Sequence, residues 1–387
     1  MRLTIVNGFF LPVPPASGGA TEKTWHRLSR EFAARGHAVT MISRRWHGYP
    51  DEETLDSVRH LRLQGYNHRR VLWQNLWLDF LWSCRVYRAL PPADIVVANT
   101  IALPVWLGRC KPRAGRVVVL PGRMPKGQYR RYHRIARVIA PSTHVAGRVA
   151  VENPALAPRI RVCGYPIDWT LLQSDAPLVH PLIPAGNPGE VTLGFVGRIH
   201  EEKGLMLLAD ALRLVHATPD LPPWRLLLCG PSDVARGGSG ADFRGRLLHQ
   251  LSQAVPGSRF HLLEPQFNDR VLAALYRSMD IFCYPSLAVE GETFGVAVAE
   301  AMAAGAVPVV SALACFRDFV QSDRNGLAFN HAAPDAPAQL AAALVRLLRE
   351  PDTRRRLATA AQADVRRYDY PTFAGTLLAD FATLAGD

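Results

Sequence analysis

Glu290-Gly-Glu-Thr-Phe-Gly-Val-Ala-Val-Ala-Glu-Ala-Met-Ala-Ala-Gly-Ala-Val-Pro-Val-Val-Ser311 decides the fold. Ahead of it, Asp280-Ile-Phe-Cys-Tyr-Pro-Ser286 is a short apolar run that turns at a proline, the pattern of a buried strand. After Glu292 the residues are small and favour helix, and Gly305 is a natural stop. Val307–Val310 is again apolar and rich in β-branched residues. The order strand, loop, helix, strand predicts a parallel βαβ unit.

Two acids in this unit are out of character. Glu292 comes just before the predicted helix, and Glu300 sits inside it among alanines and valines. Eight helical steps place them about 12 Å apart and about 80° around the axis. That spacing suits the two ends of an extended ligand better than two carboxylates sharing one proton. The backbone N–H groups near Phe294, Gly295 and Val296 open the helix and favour an anion or sugar hydroxyls. The plainer alternative is a surface helix with two solvated glutamates, and the apolar flanks of Glu300 count against it.

The stretch resembles the E-x7-E motif of retaining GT-B glycosyltransferases of family 4. The likeness extends to Phe-Gly after the first acid and Glu-Ala-Met-Ala at the second. A second motif lies upstream. Val191-Thr-Leu-Gly-Phe-Val-Gly197 reads as a strand, Arg198 follows at once, and Lys203-Gly204 sits five residues on. Two cations in a strand-end loop are fitting chemistry for a diphosphate. Gly-Arg-x4-Lys-Gly in this place resembles the same family, which implies that both side chains bind the donor phosphates.

Composition sets the outer bounds. At 387 residues two domains are expected. No apolar run is long enough to span a bilayer. Met1-Arg-Leu-Thr-Ile-Val-Asn-Gly reads as a strand and turn rather than a signal peptide. Six cysteines without C-x-x-C spacing suit a reducing compartment and argue against structural zinc. The expected location is cytoplasmic, with peripheral contact at the inner membrane face. The net charge of +12 is uneven: residues 1–172 hold 26 Lys and Arg against 10 Asp and Glu, or +16, which leaves −4 for the rest. This asymmetry points to an anionic partner for the N-terminal half, either a phosphate-bearing acceptor or an anionic membrane. No nucleic-acid recognition motif is present.

Taken in order, Leu3–Val6 reads as the first strand. Ser17-Gly18-Gly19 leads into a helix over Thr21–Arg35 with Trp25, Leu28 and Phe32 on one face. Gly18 and Gly19 at a strand-to-helix turn permit backbone approach to a phosphate, and the resemblance implies that they face the donor diphosphate. Arg69–Leu90 is a helix whose Trp73, Leu76, Trp77, Phe80 and Leu81 form one face, read as core-facing, with a membrane-interface helix as the alternative. Gly122–Arg137 carries Arg123, Lys126, Arg130, Arg131, Arg134 and Arg137. Relatives place a histidine after the strand at Arg116–Leu120, and the matching place here reads Pro121-Gly122. Arg236–Ala241 is glycine-rich and reads as a mobile loop. The resemblance implies that the loops around Gly230 and Gln266 hold the nucleotide base.

These readings predict two Rossmann-like α/β domains facing across a cleft, the GT-B architecture. Residues 1–172 form the acceptor-binding domain and 173–190 the linker. Residues 191–367 form the nucleotide-sugar domain, and 368–387 a helix crossing back. The function implied is sugar transfer with retention from a UDP- or GDP-linked donor to an acceptor hydroxyl. The acceptor is a glycan, a lipid-linked sugar or a small molecule, in glycan, polysaccharide or glycolipid assembly. The implied catalytic residues are Glu292, Arg198 and Lys203, with Glu300 on the ribose. No Asp-x-Asp occurs, so no metal and no cofactor is expected, and the cations stabilise the leaving diphosphate. The rival classes are a GT-B sugar-nucleotide epimerase, which needs a carboxylate and histidine paired for elimination, and a nucleotide-sugar-binding protein without turnover.

Overall fold

The computed structural model describes residues 1–15, 19–111, 114–174 and 182–386. The chain divides into two compact units, Met1–Pro166 with Tyr370–Asp387, and Ile167–Asp369.

The first unit is built on eight strands: β1 (Arg2–Val6), β2 (Ala38–Arg44), β3 (Glu52–Leu55), β4 (Val58–Leu63), β5 (Ile95–Ala98), β6 (Arg116–Val119), β7 (Arg137–Ala140) and β8 (Ile160–Val162). Their order is β3-β4-β2-β1-β5-β6-β7-β8. Every pairing is parallel except β3 with β4. The central strands are β-branched and buried on both faces, as helix-covered parallel strands must be. The connecting helices are α1 (Ala20–Ala34), α2 (Leu72–Ala89), α3 (Leu103–Cys110) and α4 (Thr143–Glu152). The hairpin of β3 and β4 lies in a stretch that showed no clear signal in the sequence.

One expectation fails here. The face of α2 with Trp73, Leu76, Trp77 and Phe80 is turned away from the core, with Trp73 67% and Trp77 56% exposed. The helix buries Asp79, Trp82, Ser83 and Val86 instead. Polar anchors choose that face. The Trp82 indole donates to the carbonyl of Asn7 at 3.0 Å, and Asp79 Oδ2 accepts the N–H groups of Ile101 and Ala102 at 3.1 and 2.7 Å.

The second unit has six parallel strands: β9 (Val191–Val196), β10 (Trp224–Cys229), β11 (Phe260–Leu263), β12 (Ile281–Tyr284), β13 (Val307–Ser311) and β14 (Leu327–Phe329), in the order β11-β10-β9-β12-β13-β14. Its helices are α5 (Trp169–Leu172), α6 (Leu205–Ala217), α7 (Ala241–Ala254), α8 (Asp269–Arg277), α9 (Val296–Ala303), α10 (Ala336–Arg349) and α11 (Pro351–Val365). The unit β12–α9–β13 is the parallel βαβ piece predicted from Glu290–Ser311. Gly305, at φ 96°, follows α9 as its left-handed stop. The short helix α5 packs on α8 and α9, which is why the division falls at Ile167 although the composition changes later.

The last helix, α12 (Tyr370–Gly386), belongs to the first unit. Its Phe373, Leu377 and Phe381 share a core with Trp25, Leu28 and Phe32 of α1. Arg137 Nε also donates to Asp380 Oδ2 at 2.8 Å in a largely buried pair.

Candidate functional site

In the second unit the sheet order runs one way from β9 to β10 and β11, and the other way from β9 to β12, β13 and β14. The chain therefore reverses direction across the sheet between β9 and β12. In an open parallel sheet, ligands bind outside the strand C-termini at such a switch point. The loops leaving β9 and β12 are the two that carry the motifs.

The loop after β9 is a built turn. His200 accepts from the N–H of Glu202 at 3.2 Å, a 3-10 turn spans Glu201–Lys203, and Gly204 follows at φ 66°. A Cβ on Gly204 would stand 2.0 Å from the carbonyl oxygen of Pro285, so only glycine lets the loop after β12 lie against it. The N–H of Leu287 donates to the carbonyl of Glu202 at 2.7 Å and ties the two loops together.

This packing brings Lys203 and Glu292 together as a buried ion pair. Glu292 Oε1 takes the Lys203 ammonium, the Tyr284 hydroxyl at 3.1 Å and the Ser286 hydroxyl at 3.0 Å. The same ammonium lies 5.4 Å from the centre of the Tyr284 ring. Burial, and then the Glu292 charge, push the Tyr284 phenol well above its ordinary value, so it donates rather than ionises. No described residue donates to Glu292 Oε2.

Arg198 is half-exposed. It donates to Glu202 Oε1 at 2.5 Å and to the carbonyl of Gly237 at 2.9 Å. Glu202 was not singled out in the sequence, although its place beside Lys203 and four residues after Arg198 is the signal that could have found it. The glycine-rich stretch after β10, read as a mobile loop, is a hydrogen-bonded turn. Gly238 and Gly240 donate back to Asp233 and Ser232 at 2.8 and 2.7 Å, and Ser239 donates to Ile199 at 3.1 Å. Gly230 is fixed by sterics, since a Cβ there would stand 1.8 Å from the carbonyl oxygen of Gly197.

After β12, Glu292 lies four residues before α9 begins, so the helical spacing of Glu292 and Glu300 applies only from Val296 onward. Gly295 caps α9 at φ 96°, and a Cβ there would meet the Phe316 ring at 2.5 Å. The Phe294 ring packs on Phe319 and Tyr368 with centroids 4.7 and 5.1 Å apart, so its side chain serves the core. What Phe294, Gly295 and Val296 can offer a ligand is therefore backbone. Glu300 is half-buried in α9, and the Tyr276 hydroxyl of α8 donates to its Oε2 at 3.0 Å. Gln266, also half-buried, donates to the carbonyl of Glu264 at 2.9 Å.

Gly19 opens α1 in the first unit at φ 98°, where a Cβ would meet Glu22 Oε2 at 2.4 Å. Gly18 lies outside the described residues. Among the described residues, no cluster of three or more His, Cys, Asp or Glu could hold a metal ion.

Solved structures share this architecture. Sucrose-phosphate synthase from Thermosynechococcus elongatus superposes with a TM-score of 0.75 at 22% identity, covering 99% of this chain and 98% of that one. HepE of Anabaena, in complex with UDP and glucose, superposes with 0.71 at 17%, covering 99% and 100%. Residues 190–350 match the family model described as glycosyl transferases group 1. Phosphatidyl-myo-inositol mannosyltransferase of Mycobacterium tuberculosis (strain ATCC 25618 / H37Rv) is 30% identical over 295 residues, 74% of this chain and 65% of the mannosyltransferase. GDP-mannose-dependent alpha-mannosyltransferase of Mycolicibacterium smegmatis is 31% identical over 256 residues, 66% of this chain and 59% of that protein. The chain thus spans less than two thirds of the length of these relatives, 65% of the first and 59% of the second. The fold is the two-unit α/β architecture of GT-B glycosyltransferase structures.

Proposed function

We propose that this chain transfers a sugar from a UDP- or GDP-linked donor to an acceptor hydroxyl, in the assembly of a glycan, polysaccharide or glycolipid. The observation that carries the reading is the meeting of the β9 and β12 loops at the switch point. It puts two cations, Arg198 and Lys203, beside the Glu292–Glu300 segment. The relatives' names support it, since one is a GDP-mannose-dependent mannosyltransferase and one fold neighbour was solved with UDP and glucose.

In this reading the donor diphosphate lies against Arg198, Lys203 and the backbone opening α9, where fixed donors stabilise the charge of the leaving group. Glu300, oriented by Tyr276, holds the ribose hydroxyls. Glu292 keeps Lys203 in place through Oε1 and turns Oε2 to the sugar. The turns around Gly230 and Gln266 receive the base. The sugar–phosphate bond breaks as the acceptor oxygen bonds to the anomeric carbon on the same face. The departing diphosphate takes the acceptor proton, so the configuration is retained and neither metal nor cofactor takes part.

The test is incubation with UDP- and GDP-sugars in EDTA, with hydrolysis followed by NMR. Slow release of the free sugar with its anomeric configuration first retained is the expected result. An epimerised sugar nucleotide, or tight binding without any turnover, would replace this reading with the isomerase or the binding protein. Loss of turnover restored by Mg²⁺ would overturn the cation assignment.

A further inference from the structure

We propose that the exposed face of α2, together with the basic turn beside it, is a docking surface for a membrane that carries anionic lipid headgroups. This stands whether or not the sugar-transfer reading is right.

Leu72, Trp73, Leu76, Trp77 and Phe80 are all exposed on α2, and the rings of Trp77 and Phe80 stack at 5.5 Å. An apolar strip exposed in this way marks a contact surface. It does not end at the helix. Asp79 holds the N–H groups of Ile101 and Ala102, which fixes the start of α3 against α2. The exposed Ile101 and Val105 therefore extend the strip.

The basic turn is attached at the same place. The Tyr132 hydroxyl donates to the carbonyl of Ile101 at 2.9 Å, and a Cβ on Gly108 of α3 would stand 2.8 Å from the carbonyl oxygen of Arg134. Arg123, Lys126, Arg130, Arg131 and Arg134 are exposed, and none makes an ion pair among the described residues. The sequence explains why. Between Asp94 and Glu152 there are eleven Lys and Arg and no Asp or Glu. Glu152 itself is taken up by the N–H groups of Gly127 and Tyr129 at 2.6 and 3.1 Å.

Charge selects the occupant. Tryptophan and leucine beside unpaired arginine is the composition of a helix lying in a bilayer interface, rings among the acyl chains and cations among phosphates. A second copy docked through the same face would bring two uncompensated cationic turns together, because a two-fold contact opposes like patches.

The experiment is co-sedimentation of the full chain with vesicles of phosphatidylcholine alone and of phosphatidylcholine with phosphatidylglycerol, at low and moderate salt. The parent should pellet with the anionic vesicles and less with the neutral ones, more strongly at low salt. Trp73→Ser with Trp77→Ser should bind roughly tenfold more weakly at either salt. Arg130→Gln, Arg131→Gln and Arg134→Gln together should remove the preference for anionic vesicles and its salt dependence. Leu72→Gln with Leu76→Gln replaces the tryptophan pair if that pair melts early. A parent that ignores anionic vesicles at low salt overturns the proposal, as do variants that pellet like the parent. A parent dimer that the tryptophan variant dissolves, with vesicles ignored, would instead show that a second copy covers this face.

Discussion

Lys203 and Glu292 stand 89 residues apart in the chain and meet as a buried ion pair where β9 and β12 end. Each element contributes something the other needs. The β9 loop supplies the cation, and the β12 loop supplies the carboxylate together with the Tyr284 and Ser286 hydroxyls that satisfy it. Desolvating two charges is costly, and the pair offsets that cost only while both members are present. Lys203→Met or Glu292→Leu alone should therefore destabilise the second unit by roughly 3–5 kcal/mol, and the double variant by clearly less. Urea unfolding of the three variants measures this. Single variants as stable as the parent would show that the pair is hydrated in solution.

Glu300 is half-buried in α9 and oriented by the buried Tyr276 hydroxyl. Glu300→Ala should lower the melting temperature modestly, because it takes this acceptor from the buried Tyr276 hydroxyl, and weaken binding of the donor nucleotide by about 1.5–3 kcal/mol, the worth of a charge-assisted hydrogen bond. Tyr276→Phe should weaken it less, because it loosens the carboxylate without removing it. Calorimetry with UDP and GDP reads both. Unchanged affinity in Glu300→Ala removes this residue from the site.

Arg198 is held by Glu202, so a diphosphate must take the guanidinium from a carboxylate. The pair is half-exposed, and such pairs are weak. Glu202→Gln should therefore tighten nucleoside diphosphate binding only about two- to fivefold. Arg198→Ala should weaken it by more. If Glu202→Gln weakens binding instead, Glu202 positions Arg198 rather than competing for it.

The contrast between α9 and α2 shows what the sequence could disclose. In α9, the small residues, Gly305 and the flanking β-branched runs are local, and local patterns fix strand, helix and stop. The switch point follows from strand order, and the motifs fall on its two loops. The side of α2 that faces the sheet was not legible. Trp73, Leu76, Trp77 and Phe80 make an apolar stripe at helical spacing, but Trp82 and Val86 make another. The choice between them rests on the carbonyl of Asn7 and the N–H groups of Ile101 and Ala102, all distant in sequence. The pairing of Lys203 with Glu292 is hidden for the same reason. Both residues stood out singly, and only the tertiary fold joins them.

His60 gives the fold a dependence on pH. It lies fully buried on β4, with its ring 6.1 Å from that of His26 on α1, and neither of its ring nitrogens has a hydrogen-bond partner among the described residues. Burial first, then the charges of Arg62 and His26, hold its pKa down at about 4, against the weaker pull of Glu53 and Asp56. In the unfolded chain the imidazole returns to its ordinary value of about 6.5. Between these values the unfolded state takes up the proton and the folded state does not, so stability rises with pH. The contribution is complete above the unfolded value and is lost as pH falls from about 6.5 toward 4, on the order of 3 kcal/mol in all. Urea midpoints carry this decline, offset in part by Asp79, which burial pushes up to about 6 and which gains stability as pH falls over the same window. His60→Leu, which removes the proton site and keeps an apolar side chain of similar size, should flatten the upper part of that decline. A variant whose midpoint follows pH as steeply as the parent's would assign the slope to other groups.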